Sequence, residues 1–101
     1  MKMILLMYLE DDDATVRRLL EKEGITGYSA MPLEGHGGGA PGWYGDVPTF
    51  RSRMAFAIVE PSRAEALLEA VSTCTGCADP THPIHAVQVD VEKATASLAS
   101  P

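Results

Sequence analysis

Between Glu34 and Pro48 the chain carries six glycines, Gly35, Gly37, Gly38, Gly39, Gly42 and Gly45, together with Pro41 and Pro48. A stretch of this kind has almost nothing to bury and reads as a long loop outside any packed body. It divides the 101 residues into two halves, and each half shows the same order of strand, helix and strand. Any fold open to this chain must keep the loop out of its core and build that core from the two halves. Loops of about 15 residues inside a compact domain are usually functional.

In the first half, Met1 to Leu9 is an apolar run interrupted only by Lys2, and it stops at Glu10-Asp11-Asp12-Asp13. Its length and composition predict a central strand buried on both faces. Asp12 or Asp13 then caps a helix running to about Glu23, with Val16, Leu19 and Leu20 on one face and Gly24 as its left-handed terminator. Tyr28 to Leu33 alternates as a second strand. Pro32 has no N–H to give to a ladder, so this strand belongs at a sheet edge.

In the second half, Arg53 to Glu60 sets Met54, Phe56 and Ile58 against Ala55, Ala57 and Val59, a strand with one bulky and one small face. Ser62-x-x-Glu65 has the form of a capping box, and Ala64, Leu67, Leu68 and Val71 recur at helical spacing. Thr73 to Pro83 reads as a loop, and Ala86 to Val91 as a fourth strand with Val87, Val89 and Val91 on one face. The order predicts an α+β, ferredoxin-like βαβ-βαβ fold: a four-stranded antiparallel sheet with two helices on one face and the glycine-rich loop between the halves. That topology puts the second strand at an edge, where Pro32 is tolerated.

The length gives one domain, residues 1–101, with a single core. Eight basic against fourteen acidic residues give a net charge of −6, which repels phosphate backbones and anionic bilayers and so disfavours nucleic-acid and membrane-surface binding. The longest unbroken apolar run, Met3 to Leu9, is seven residues, whereas a membrane span takes about 20. Lys2 and that run imitate the start of a signal peptide, but the acidic cluster follows at once and no small-x-small cleavage site appears. The expectation is a cytoplasmic protein with no direct membrane insertion.

Cys74, Cys77, His82 and His85 stand in the spacing C-x2-C-x4-H-x2-H and include both cysteines of the chain. Thiolates and imidazoles suit a tetrahedral zinc ion or a neighbouring soft divalent metal, and the first three positions match the opening of a zinc knuckle. Two other readings stand beside it: a redox pair, or two small buried cysteines at a helix end with two polar loop histidines. The pair follows a helix C-terminus, where the dipole raises thiol pKa, which weighs against thioredoxin-like catalysis. No Gly-x-Ser-x-Gly, His-Glu-x-x-His or P-loop lysine is present, and the chain is expected not to be an enzyme. His36, between two glycines, is either solvent-facing, a fifth metal ligand or a ligand-gripping group. Trp43 and Tyr44, aromatics on a glycine-rich loop, either anchor a partner or fold back over a cleft.

The βαβ-loop-βαβ order, Gly35-His36-Gly37 at the loop entrance, Gly27-Tyr28-Ser29 in the second strand and Thr75-Gly76 after the second helix together resemble the PII-like signalling proteins. The resemblance covers nearly the whole chain in architecture, with short motifs. It implies a homotrimer with outward-projecting T-loops, here Glu34 to Pro48, and a small-molecule pocket, commonly for an adenine nucleotide, in each cleft between subunits. Carried onto this sequence, Ser29 approaches the adenine, while Gly35 and Gly37 let backbone come close to the ligand. The Gly-Asp-Gly-Lys phosphate cradle of the nitrogen regulators is replaced by Cys77-Ala78-Asp79-Pro80-Thr81-His82-Pro83, with no lysine, and the arginines that usually follow the fourth strand are missing.

On this basis the chain is expected to sense an adenine nucleotide or a metal ion at its clefts and to signal through the loop to a membrane transporter or an enzyme. The alternative is a trimeric metal-binding protein of the divalent-cation tolerance type, with Cys74, Cys77, His82 and His85 as ligands. A third is a structural trimer with no ligand.

Overall fold

The computed structural model describes residues 1–37, 49–74 and 83–95. Strand β1 spans Lys2–Leu9 and runs into a single 3-10 turn, Glu10–Asp12, that leads directly into helix α1, Asp13–Lys22. Strand β2 is Ser29–Gly35 and β3 is Phe50–Val59; helix α2 covers Pro61–Thr73 and β4 Ile84–Asp90. The sheet order is β2-β3-β1-β4 with every neighbouring pair antiparallel. This is the ferredoxin-like arrangement expected from the order of elements. Pro32 lies on β2, the edge strand.

The core lies on one side of the sheet. Ile4, Leu6 and Tyr8 of β1, Ala55 and Ala57 of β3 and Ile84 of β4 meet Val16 and Leu20 of α1 and Ala64, Leu67 and Val71 of α2, and all are nearly or fully buried. Small residues on β3 let the helices sit close to the sheet, which decides which face of that strand turns inward. The bulky set Met54, Phe56 and Ile58 therefore faces away from the helices. The same holds on β4, where Val87 and Val89 lie on the outer face, exposed by 38% and 43%. The expectation that β1 is covered on both faces is thus half met: Met3, Leu5, Met7 and Leu9 are only partly buried, because no described element packs on that side.

The helix ends show local chemistry the sequence only partly announced. Asp12 takes the N-cap position of α1 as read from the sequence, but its side chain makes no capping hydrogen bond there, and Gly24 follows the C-cap with φ 77° as expected. Helix α2 starts before the expected capping box: Glu60 is its N-cap and Pro61, whose fixed φ suits the first helical position, leads it. Ser62 and Glu65 consequently lie inside the first turns. The guanidinium of Arg63 reaches back across the helix pair and donates to the carbonyls of Glu23 (3.2 Å) and Gly24 (2.7 Å), satisfying acceptors at the C-terminus of α1.

A Cβ added at Gly24 would overlap the Arg63 guanidinium as well as strain the left-handed backbone. Gly24→Ala and Arg63→Ala should each lower stability by about 1 kcal/mol. The double variant should fall short of the sum, because the alanine at Gly24 already displaces Arg63. Urea unfolding of all four proteins measures this; strict additivity would contradict the described contact.

Candidate functional site

Beyond the core, the polar side chains gather at the end of the sheet where β1 finishes, β2 runs out and β3 begins. Asp13 is the centre of this group. One carboxylate oxygen accepts a hydrogen bond from the buried Tyr8 hydroxyl (3.1 Å) and lies 3.3 Å from Arg53 Nε; the other lies 2.8 Å from Arg17 Nε, one helical turn on. Asp13 therefore ties the end of β1, the start of α1 and the start of β3 together. Burial is the main cause that raises the Tyr8 pKa above its ordinary value of 10.0, opposed by its hydrogen bond with Arg53 and reinforced by Asp13. The neutral phenol is held as a donor.

Beside this anchor lies a cavity of about 610 Å³ at the foot of the β2–β3 hairpin, with Glu10, Glu34, Thr49, Arg51, Ser52 and Arg53 among its lining residues. Arg51 and Arg53 are alternate residues of β3 and share a face, with Glu34 and Pro32 opposite them on β2. Two guanidinium groups and two hydroxyl side chains can hold a small anion, while Glu10 and Glu34 keep the lining mixed in charge. Glu34 also contacts His36 Nε2 at 2.8 Å on the rim.

Of the residues singled out from the sequence, Ser29 begins β2, exposed and opposite Phe56. Gly35 ends β2 opposite Phe50, and a Cβ there would overlap the Phe50 ring. Among the described residues the one glycine with positive φ is Gly24. Gly35 lies in extended strand without a positive φ, and what an added Cβ would meet there is the Phe50 ring. His36 is exposed and Gly37 half-buried directly after the strand. Trp43 and Tyr44, and with them most of the glycine-rich loop, lie outside the described residues, as do Cys77 and His82.

The two remaining members of the Cys/His set are not brought together. Cys74 caps the C-terminus of α2, packs against the core from the helix side and is disulfide-bonded. His85 pairs with Met7, on the opposite side of the sheet from Ile84 and Ala86, which meet the core. Its burial lowers the imidazole pKa below 6.5. Among the described residues no three His, Cys, Asp or Glu side chains converge as a metal site would require, and no helix is long and apolar enough to cross a membrane.

Sequence reasoning missed the Asp13 anchor and the Arg51–Arg53 pair. The Asp13–Arg17 spacing and the Arg-x-Arg alternation were visible signals, but their meeting depends on the pairing of β1 with β3.

These features define an antiparallel ferredoxin-like sheet with a mixed-charge cavity beside a long hairpin loop. The chain has the fold of the PII-like signalling proteins. It superimposes with a TM-score of 0.64 at 17% identity on a protein from Thermus thermophilus described as PII-like and signalling, covering 89% of this chain and 85% of that one. CPII from Thiomonas intermedia K12, a nitrogen regulatory PII-like protein, matches in its form bound to ADP, AMP and bicarbonate with a TM-score of 0.62 and 17% identity, over 92% of this chain and 93% of that one. Its apo form gives 0.63 and 19%, over 87% and 89%. No described protein family matches the sequence, and neither does any curated protein.

Two measurements follow from the side-chain chemistry. Tyr8→Phe removes one donor to Asp13 and should cost about 1 kcal/mol in urea unfolding, with the fold intact; no change would mean that Arg17 and Arg53 alone hold the carboxylate. Because the folded pKa of His85 is depressed, its contribution to stability is present above pH 6.5 and lost as pH falls through the folded value. The native protein should lose more stability between about pH 7 and 5 than His85→Gln, and equal pH profiles would contradict this.

Proposed function

We propose that this chain is a PII-like regulatory protein that binds a small anionic ligand of the adenine-nucleotide or bicarbonate kind and reports it through the Glu34 to Pro48 loop. The observation that carries the reading is the cavity lined by Arg51 and Arg53 at the base of that loop, in a fold shared over nine tenths of its length with a protein whose structure holds ADP, AMP and bicarbonate. Neither arginine was part of the family pattern read from the sequence. They offer a phosphate or carboxylate the bidentate donors that the loop after α2, without its lysine, does not.

Gly35, His36 and Gly37, at the base of the loop, would gate the ligand, whereas Ser29 stands at the other end of β2 and outside the lining of this cavity. Trp43 and Tyr44, carried on the loop, would be the groups offered to or withdrawn from a target such as a transporter or an enzyme. The protein itself would act by binding, not by catalysis.

A homotrimer supports this reading because it gives the outer sheet face an occupant. Met3, Leu5, Met7, Leu9, Met54, Phe56, Ile58, Val87 and Val89 share that face, and Met31, Ile58, Val87 and Val89 are exposed by about 40%. Among the described residues of the four strands this face carries no charged side chain other than a protonated His85. A surface this apolar in a chain of net charge −6 is best covered by other copies of itself.

Trp43 is the only tryptophan, so its fluorescence reports the loop directly. Adding ADP, AMP or bicarbonate should shift the emission and slow proteolysis near Trp43. Arg53→Ala together with Arg51→Ala should weaken the response at least about tenfold, in line with about 1.5–3 kcal/mol for hydrogen bonds to a charged group. Emission and cleavage unchanged by all three ligands would defeat the proposal.

A further inference from the structure

Three strand pairings place Met31, Met54, Met7 and His85 opposite one another in a single row that crosses all four strands on the outer face of the sheet. We propose that Met7, Met54 and His85 form a binding site for a soft monovalent cation, Cu(I) in the cell, with Met31 continuing the row to the solvent edge. The site shares no residue with the lining of the arginine-lined cavity, and it does not depend on the ligand reading above.

The geometry is permissive. Adjacent strands are about 4.8 Å apart, so Met7 lies midway between Met54 and His85, and side chains standing perpendicular to the sheet put two thioethers and one imidazole around a point above Met7. The chemistry is selective. Thioether sulfur and neutral imidazole are soft ligands that suit Cu(I), and carboxylates and carbonyls suit the hard dications. No acidic side chain among the described strand residues shares this face: Glu34, on the edge strand, pairs with Arg51 on the other side, and Asp90 pairs with Lys2. A dication here would remain a half-buried charge without an anion to offset it, which is costly, whereas a single soft charge spread over polarisable sulfur is far less so. Neutral imidazole is the form that ligates metal, and the pairing of His85 with Met7 places it beside the two thioethers. The alternative is that the methionines only fill the space between subunits, as adaptable apolar side chains do.

The test uses the Cys74→Ser/Cys77→Ser protein, so that neither the disulfide nor a thiol released from it competes, and Ag(I) as a redox-inert probe. The five methionines give separate methyl signals in 13C-resolved NMR, and Met1 and Met3 serve as internal controls. One equivalent of Ag(I) should shift the Met7 and Met54 methyls and the His85 ring, leaving Met1 and Met3 in place. Met7→Leu/Met54→Leu, which conserves volume, should keep the fold by circular dichroism and weaken Ag(I) binding by more than about tenfold, the scale on which even outer-shell partners matter. Equal shifts at Met3, no saturable binding, or an affinity unchanged by the double leucine variant would each overturn the site and leave the methionines as packing residues.

Discussion

The pairing of β1 on both sides, with β3 and with β4, is the constraint from which the rest of the molecule follows. Its inward residues Ile4, Leu6 and Tyr8 are fully buried under the two helices. Its outward residues Met3, Leu5 and Met7 form the middle of an apolar face. Its last inward side chain, Tyr8, bonds to Asp13 at the start of α1. One strand thus fixes the core, the outer face and the position of the loop-bearing end of the sheet, and a shift of one residue in its register would exchange the two faces.

The Asp13 anchor explains how a glycine-rich connection can spring from a defined base. Arg53 is held on one side by Asp13 and lines the cavity on the other. Ion pairs of this exposure contribute little to stability on their own; their value here is orientation, since a guanidinium already tethered loses less freedom when a ligand arrives. In the proposed function the same arginine joins the ligand pocket to the first helix.

Much of the fold was legible in the sequence because its elements have clear periodicity: the apolar run of β1, the small and bulky faces of β3, the 3.6-residue spacing of α2, and Pro32 at an edge. Which face of β3 turns inward was not legible, since alternation alone does not distinguish Ala55 and Ala57 under the helices from Met54 and Phe56 on the outer face. The start of α2 was misread because Ser62 and Glu65 have the right spacing while Pro61, one residue earlier, is the better first residue. The candidate site was less readable still. Gly35 was singled out for close approach of backbone to a ligand, and the neighbour that the structure sets against it is the Phe50 ring. Cys74 and His85 are close in sequence and lie on opposite sides of the sheet, because strand alternation separates them, a step that spacing between ligands does not take into account.

The proposed trimer is the point on which clefts, loop and outer face all turn, and the mass of the protein in solution tests it most directly. Light scattering on the purified chain at micromolar concentration should give three times the chain mass, falling to one chain mass when Ile58 on the outer face is replaced by glutamate. A native protein of one chain mass would contradict the account, since the apolar face would then stand open to water and no cleft between subunits would exist.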